Sequence, residues 1–76
     1  MSNEKGLDDM TFSKTIKDLR EQNNYTQAFV AEKLGIRQSS YNKYENGKAR
    51  PEYENLVKLA KLYDVSIDFL LENKDI

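Results

Sequence analysis

A chain of 76 residues fits one domain, and a domain of that size has little room for an internal catalytic cavity. It contains no Cys and no His, which excludes disulfides, thiolate chemistry, imidazole bases and the usual zinc sites. The net charge of -1 argues against a nucleic-acid partner until its distribution is examined.

Residues 1–32 carry four basic and six acidic side chains, and residues 51–76 carry three and six. Between them, residues 33–50 hold Lys33, Arg37, Lys43, Lys48 and Arg50 against one acid, Glu45, a local excess of +4. A polyanion would meet that local field and not the average. No apolar run approaches the ~20 residues that span a bilayer. The opening residues MSNEKGLDDM lack the apolar stretch of a signal peptide, so a soluble, cytoplasmic protein without membrane association is expected.

In chain order, residues 1–10 read as a mobile arm, with Gly6 and the adjacent acids Asp8 and Asp9. Thr11 is placed to cap a first helix, on which Phe12, Ile16 and Leu19 share one face at i, i+4 and i+7. Asn23 and Asn24 end it. Thr26 caps a second helix whose buried stripe is Val30, Ala31 and Leu34, and Gly35 closes it in the left-handed region. After Ile36 and Arg37 a third helix runs from about Gln38 to Glu45, with Tyr41 and Tyr44 on one face and Asn46-Gly47 as its stop. Pro51 suits the first turn of a fourth helix with the stripe Tyr53, Leu56, Val57, Ala60 and Tyr63. Ser66 caps a short fifth helix carrying Ile67, Phe69, Leu70 and Leu71, and residues 72–76 form a polar tail. The expectation is an all-α fold of five helices, with the folded domain over 11–71.

The informative stretch is TQAFVAEKLGIRQSSYNKYENG at 26–47. Two short helices meet at a turn holding Gly35. Ala31, four residues earlier, is small where the helices approach. Apolar residues at 30, 34, 36, 41 and 44 close the back of this unit. The outward face of the third helix carries Gln38, Ser39, Asn42 and Lys43, side chains that can donate to or accept from base edges in a major groove. Gly35 and Gly47 lack the surrounding glycines of a phosphate-cradling loop and read as structural.

In these residues the chain resembles the Cro/repressor-like (Xre-type) family of bacterial and phage transcriptional regulators. The resemblance spans residues 12–71. It rests on Leu19-Arg20, Thr26-Gln27, VAEKLGI at 30–36, QSSYNKYENGK at 38–48, Pro51, LVKLAKLYDV at 56–65 and SIDFLL at 66–71. It implies a lambda-repressor-like five-helix bundle whose second and third helices form a helix-turn-helix, with the third helix in the major groove. It also implies base-reading roles for Gln38, Ser39 and Lys43, with Arg37 and Asn42 in reach. Sugar-phosphate contacts are implied for Gln27, Ser40, Asn46 and Lys48, and Arg50 joins them as a cation at the end of the basic segment. Arg20 and Glu45 match an ion pair that ties the first helix to the end of the third.

Three residues depart from the family pattern. Arg37 replaces the usual Ser or Thr cap, Tyr41 stands where Ile or Val is usual and so its hydroxyl must find a partner or reach the surface, and Phe29 replaces an exposed charged residue. Tyr41, Tyr44, Tyr53 and Tyr63 are expected in the core, and Phe29 as an exposed aromatic or a partner contact. The reading is a repressor that binds double-stranded DNA at an inverted repeat as a homodimer, without cofactor or metal, and not an enzyme. Leu62, Val65, Phe69 and Leu70 are the candidate dimer contacts. An antitoxin of a toxin–antitoxin pair, and a protein-interaction module that kept the fold, remain as alternatives. With no effector domain in 76 residues, control falls to concentration, proteolysis, a protein partner such as an antirepressor, or a region outside this sequence.

Overall fold

The computed structural model describes residues 4–72, with side chains over 11–71. Five helices follow in chain order: α1 (Glu4–Gln22), α2 (Gln27–Leu34), α3 (Gln38–Glu45), α4 (Tyr53–Tyr63) and α5 (Ile67–Glu72). Among the described residues there is no strand, and no helix is long and apolar enough to cross a membrane. Helix α1 packs on α3 and α5, α2 packs on α3 and α4, and α4 packs on α5. Phe12, Ile16, Val30, Ala31, Leu34, Tyr41, Tyr44, Leu56, Leu59, Ala60, Tyr63 and Leu70 form the core, so every helix contributes.

Local chemistry explains the boundaries. The Thr26 hydroxyl accepts from Phe29 N–H at 3.0 Å and caps α2. Gly35 sits at φ 75°, a conformation that strains any residue with a Cβ, and Ile36 N–H returns to the Ala31 carbonyl at 3.0 Å. Lys58 on α4 donates to the Leu34 carbonyl at 3.4 Å and supplies a cation at the α2 C-terminus. Asn24 and Asp64 adopt left-handed φ at the ends of α1 and α4, a conformation that short polar side chains tolerate. The Ser66 hydroxyl accepts from Phe69 N–H at 2.9 Å at the start of α5.

Five expectations are corrected. Thr11 does not begin α1, because the helix starts at Glu4 and takes in residues 4–10 of the expected arm. Extending a formed helix costs far less than nucleating one. Pro51 precedes α4 and is not in its first turn: Glu52 is the N-cap, with ψ 164°, and its carbonyl takes the first helical bond, from Leu56. The buried stripe of α4 is therefore Leu56, Leu59, Ala60 and Tyr63, while Tyr53, on the first turn beyond the core, is 74% exposed. Leu70 is fully buried and unavailable as a dimer contact; Leu71 is the exposed leucine of α5. Glu72 belongs to α5, and the remaining tail residues 73–76 lie outside the described residues, as do residues 1–3 of the arm.

Candidate nucleic-acid interface

Helix α3 is divided by its own periodicity. Tyr41 and Tyr44 are buried, packed edge to face with ring centroids 5.9 Å apart. Gln38, Ser39, Ser40, Asn42 and Lys43 are exposed on the other side. Arg37, Asn46, Lys48 and Arg50 flank this face and are exposed as well. Gln27, the first residue of α2, is half-buried beside it. Arg37 is the N-cap of α3 in extended geometry but makes no side-chain cap bond, so the start of the helix lacks a side-chain acceptor and carries an exposed cation.

Behind this face lies a network centred on Glu45. Arg20 Nε donates to Glu45 Oε2 at 2.7 Å and Arg20 Nη2 to Oε1 at 3.0 Å, a bidentate pair between α1 and the last residue of α3. The two side chains are only 13% and 4% exposed. Arg20 Nη1 donates to the Tyr25 carbonyl at 3.1 Å, which ties in the α1–α2 turn. The Tyr41 hydroxyl donates to Glu45 Oε2, the partner that its burial demands. Gln27 Nε2 donates at 3.1 Å both to Glu45 Oε1 and to Asn42 Oδ1.

Burial alone would raise the Glu45 carboxyl, but the hydrogen bonds from Arg20, Tyr41 and Gln27 outweigh it and hold the group below its ordinary value. Arg20 is raised, chiefly by its hydrogen bond to Glu45. Burial, and then the bond to Glu45, push the Tyr41 hydroxyl well above its ordinary range, so it remains a donor. The single acid of segment 33–50 is thus neutralised by a cation from outside that segment, which leaves the local field basic. Lys17, Arg20, Gln27, Asn42, Glu45 and Asn46 line an open cleft of ≈ 310 Å³ between α1, α2 and α3.

Some of these contacts had a signal in the sequence. Tyr41 and Glu45 are four apart on one helix and were bound to meet. Lys17 and the Gln27–Asn42 bond had none, since both depend on how α1 and α2 dock against α3. Phe29 is not the exposed aromatic expected. Its ring packs against Tyr25 at 4.5 Å and under the Lys33 ammonium at 5.2 Å, because the α1–α2 turn folds Tyr25 back over α2.

The helix-turn-helix family model matches residues 16–70, from α1 into α5. The chain belongs to the Xre/Cro-type helix-turn-helix family. The uncharacterized HTH-type transcriptional regulator YqaE of Bacillus subtilis is 40% identical over 63 residues, covering 83% of this chain and 54% of YqaE. The cryptic phage CTXphi transcriptional repressor RstR of Vibrio cholerae is 43% identical over 61 residues, covering 80% of this chain and 54% of RstR. The chain therefore spans about half the length of these relatives. The crystal structure of the P22 c2 repressor protein in complex with synthetic operator 9T matches with a TM-score of 0.79 at 25% identity, over 83% of this chain and 96% of that one. The helix-turn-helix of this fold is α2 and α3.

Proposed function

We propose that this protein is a sequence-specific DNA-binding repressor that acts in the cytoplasm, docks α3 in the major groove, and binds an inverted repeat as a homodimer. The observation that carries this reading is the exposed polar face of α3, backed by two buried tyrosines and set in the most basic segment of the chain. None of this face belongs to the apolar core, and its donors and acceptors suit base edges. The likeness to a repressor solved on operator DNA supports the same placement.

In this reading Arg37, Gln38, Ser39 and Lys43 meet base edges, while Ser40, Asn46, Lys48 and Arg50 meet the sugar-phosphate backbone. One α3 reads only a few base pairs, so a twofold pair of recognition helices is needed for useful affinity. The exposed Leu71, with half-buried Leu62, Val65 and Phe69, supports an α4–α5 surface for that pairing. Repression follows from occupancy of promoter DNA. Selection of bound sites from random duplex DNA tests the proposal. An inverted repeat with half-sites about one helical turn apart is expected. Recovery of a pool with no enriched sequence would overturn it.

A further inference from the structure

The network behind α3 decides which way two carboxamides face. Glu45 is ionised and has no proton to donate, so the Gln27 atom beside it must be the amide nitrogen. That same nitrogen lies 3.1 Å from Asn42, which must therefore present its carbonyl oxygen. The buried ion pair thus sets Gln27, and Gln27 sets Asn42. Both N–H groups of Gln27 are then engaged, and the atom it has left for a ligand is an acceptor, Oε1. Asn42 is exposed, and with Oδ1 taken by Gln27 the group it has left for a ligand is the donor Nδ2.

A phosphate oxygen accepts and cannot donate, so Gln27 Oε1 repels it and Asn42 Nδ2 attracts it. Asn42 also lies on the side of α3 that faces the N-terminus of α2, where the helix dipole favours an anion. Lys17 and Asn46 line the same cleft, and the Glu45 charge within it is cancelled by Arg20. The family resemblance implies the opposite division of labour, with Gln27 on the phosphate and Asn42 in reach of a base.

We infer that Asn42, oriented by Glu45 through Gln27, donates Nδ2–H to a backbone phosphate at the edge of the recognition helix, and that Gln27 is a positioning residue. This rests on the DNA-binding reading above and assigns two of its residues.

The test uses the selected duplex with neutral methylphosphonates placed one at a time, against wild type, Asn42→Ala, Gln27→Met and the double variant. Circular dichroism melts confirm that each variant folds. Wild type should lose affinity about tenfold or more when the contacted phosphate is neutralised, as for a hydrogen bond to a charged group. Asn42→Ala should bind every sequence more weakly by a similar factor and no longer sense that substitution. Gln27→Met should behave the same way, and the double variant no worse than either, since the two act as one unit. An Asn42→Ala variant that still senses the methylphosphonate, while Gln27→Met does not, would make Gln27 the donor and overturn the inference. Loss confined to one base pair on Asn42→Ala would make Asn42 a base reader and also overturn it. Failure of wild type to bind any duplex removes the DNA reading itself; either of the other outcomes removes only this assignment.

Discussion

Arg20→Ala should be the most damaging single truncation outside the apolar core. The guanidinium makes two hydrogen bonds to Glu45 and one to the Tyr25 carbonyl, and the Glu45 side chain left behind is 4% exposed. Removing one partner of a buried pair strands the other charge, at a cost of ~3–5 kcal/mol. For a domain of this size each ~1 kcal/mol moves Tm by about 4–8 °C, so a fall of at least ~12 °C is expected in a thermal melt followed by circular dichroism.

The pH dependence separates this cause from lost packing. Glu45 is held below its ordinary value of 4.5 in the folded wild type, so its contribution is present above that value and is lost as pH falls through the folded pKa. Without Arg20, burial acts on Glu45 with less opposition, and protonation relieves the stranded charge. The deficit of Arg20→Ala relative to wild type should therefore shrink as pH is lowered through the carboxylate range. Arg20→Met combined with Glu45→Leu should recover part of the loss, but not all, because the buried Tyr41 hydroxyl then lacks its acceptor at ~1–3 kcal/mol. A melt of Arg20→Ala within two or three degrees of wild type (well under ~1 kcal/mol) would refute the reasoning.

Other consequences follow from the same structure. Arg37→Thr should stabilise the free protein by ~0.5–2 kcal/mol, by adding the missing cap to α3, while weakening DNA binding; a gain in both melt and affinity would contradict the role given to Arg37. Gly35→Ala should destabilise by about 1–2 kcal/mol from the left-handed φ alone, since a Cβ there meets nothing within 4 Å; an unchanged denaturant midpoint would show that the turn adjusts. Duplex affinity measured across salt concentrations should fall with a log–log slope of about -0.9 per neutralised phosphate, and Lys48→Ala should reduce it by about one unit if Lys48 holds a phosphate.

The helix-turn-helix was legible because its signals are local. Thr26 and Gly35 are capping residues at the two ends of α2, and the 30, 31, 34 and 41, 44 spacings describe helices that bury one face each. The start of α1 was not legible, because Gly6 and a run of polar residues give no apolar period, and the helix continues through them from a nucleus further along. On α4 the periodicity allows a stripe displaced by part of a turn. The choice between Tyr53 and Leu59 is made by docking against α2 and α5, which local pattern does not contain. The site shows the same division. The residues on the outer face of α3 could be listed from spacing, and the Arg20–Glu45 pair from resemblance. The Gln27–Asn42 bond, the Ser13 hydroxyl donating to the Tyr44 carbonyl at 2.9 Å, and Lys58 over the end of α2 join residues 15 to 31 apart, and only the packed bundle brings them together.

The central claim is that α3 reads base pairs, and Gln38 is where it is most exposed to contradiction. Gln38 is the first residue of α3, is exposed, and can meet an adenine edge with two parallel hydrogen bonds at N6 and N7. The decisive measurement is a set of affinities, at fixed salt, for wild type and Gln38→Ala against every single-base substitution of the selected site. The account predicts a loss of ~1–3 kcal/mol on the preferred site and a relaxed preference at one base pair in each half-site, with discrimination elsewhere unchanged. A Gln38→Ala variant that keeps the full wild-type preference at every position would contradict the docking of α3 in the major groove.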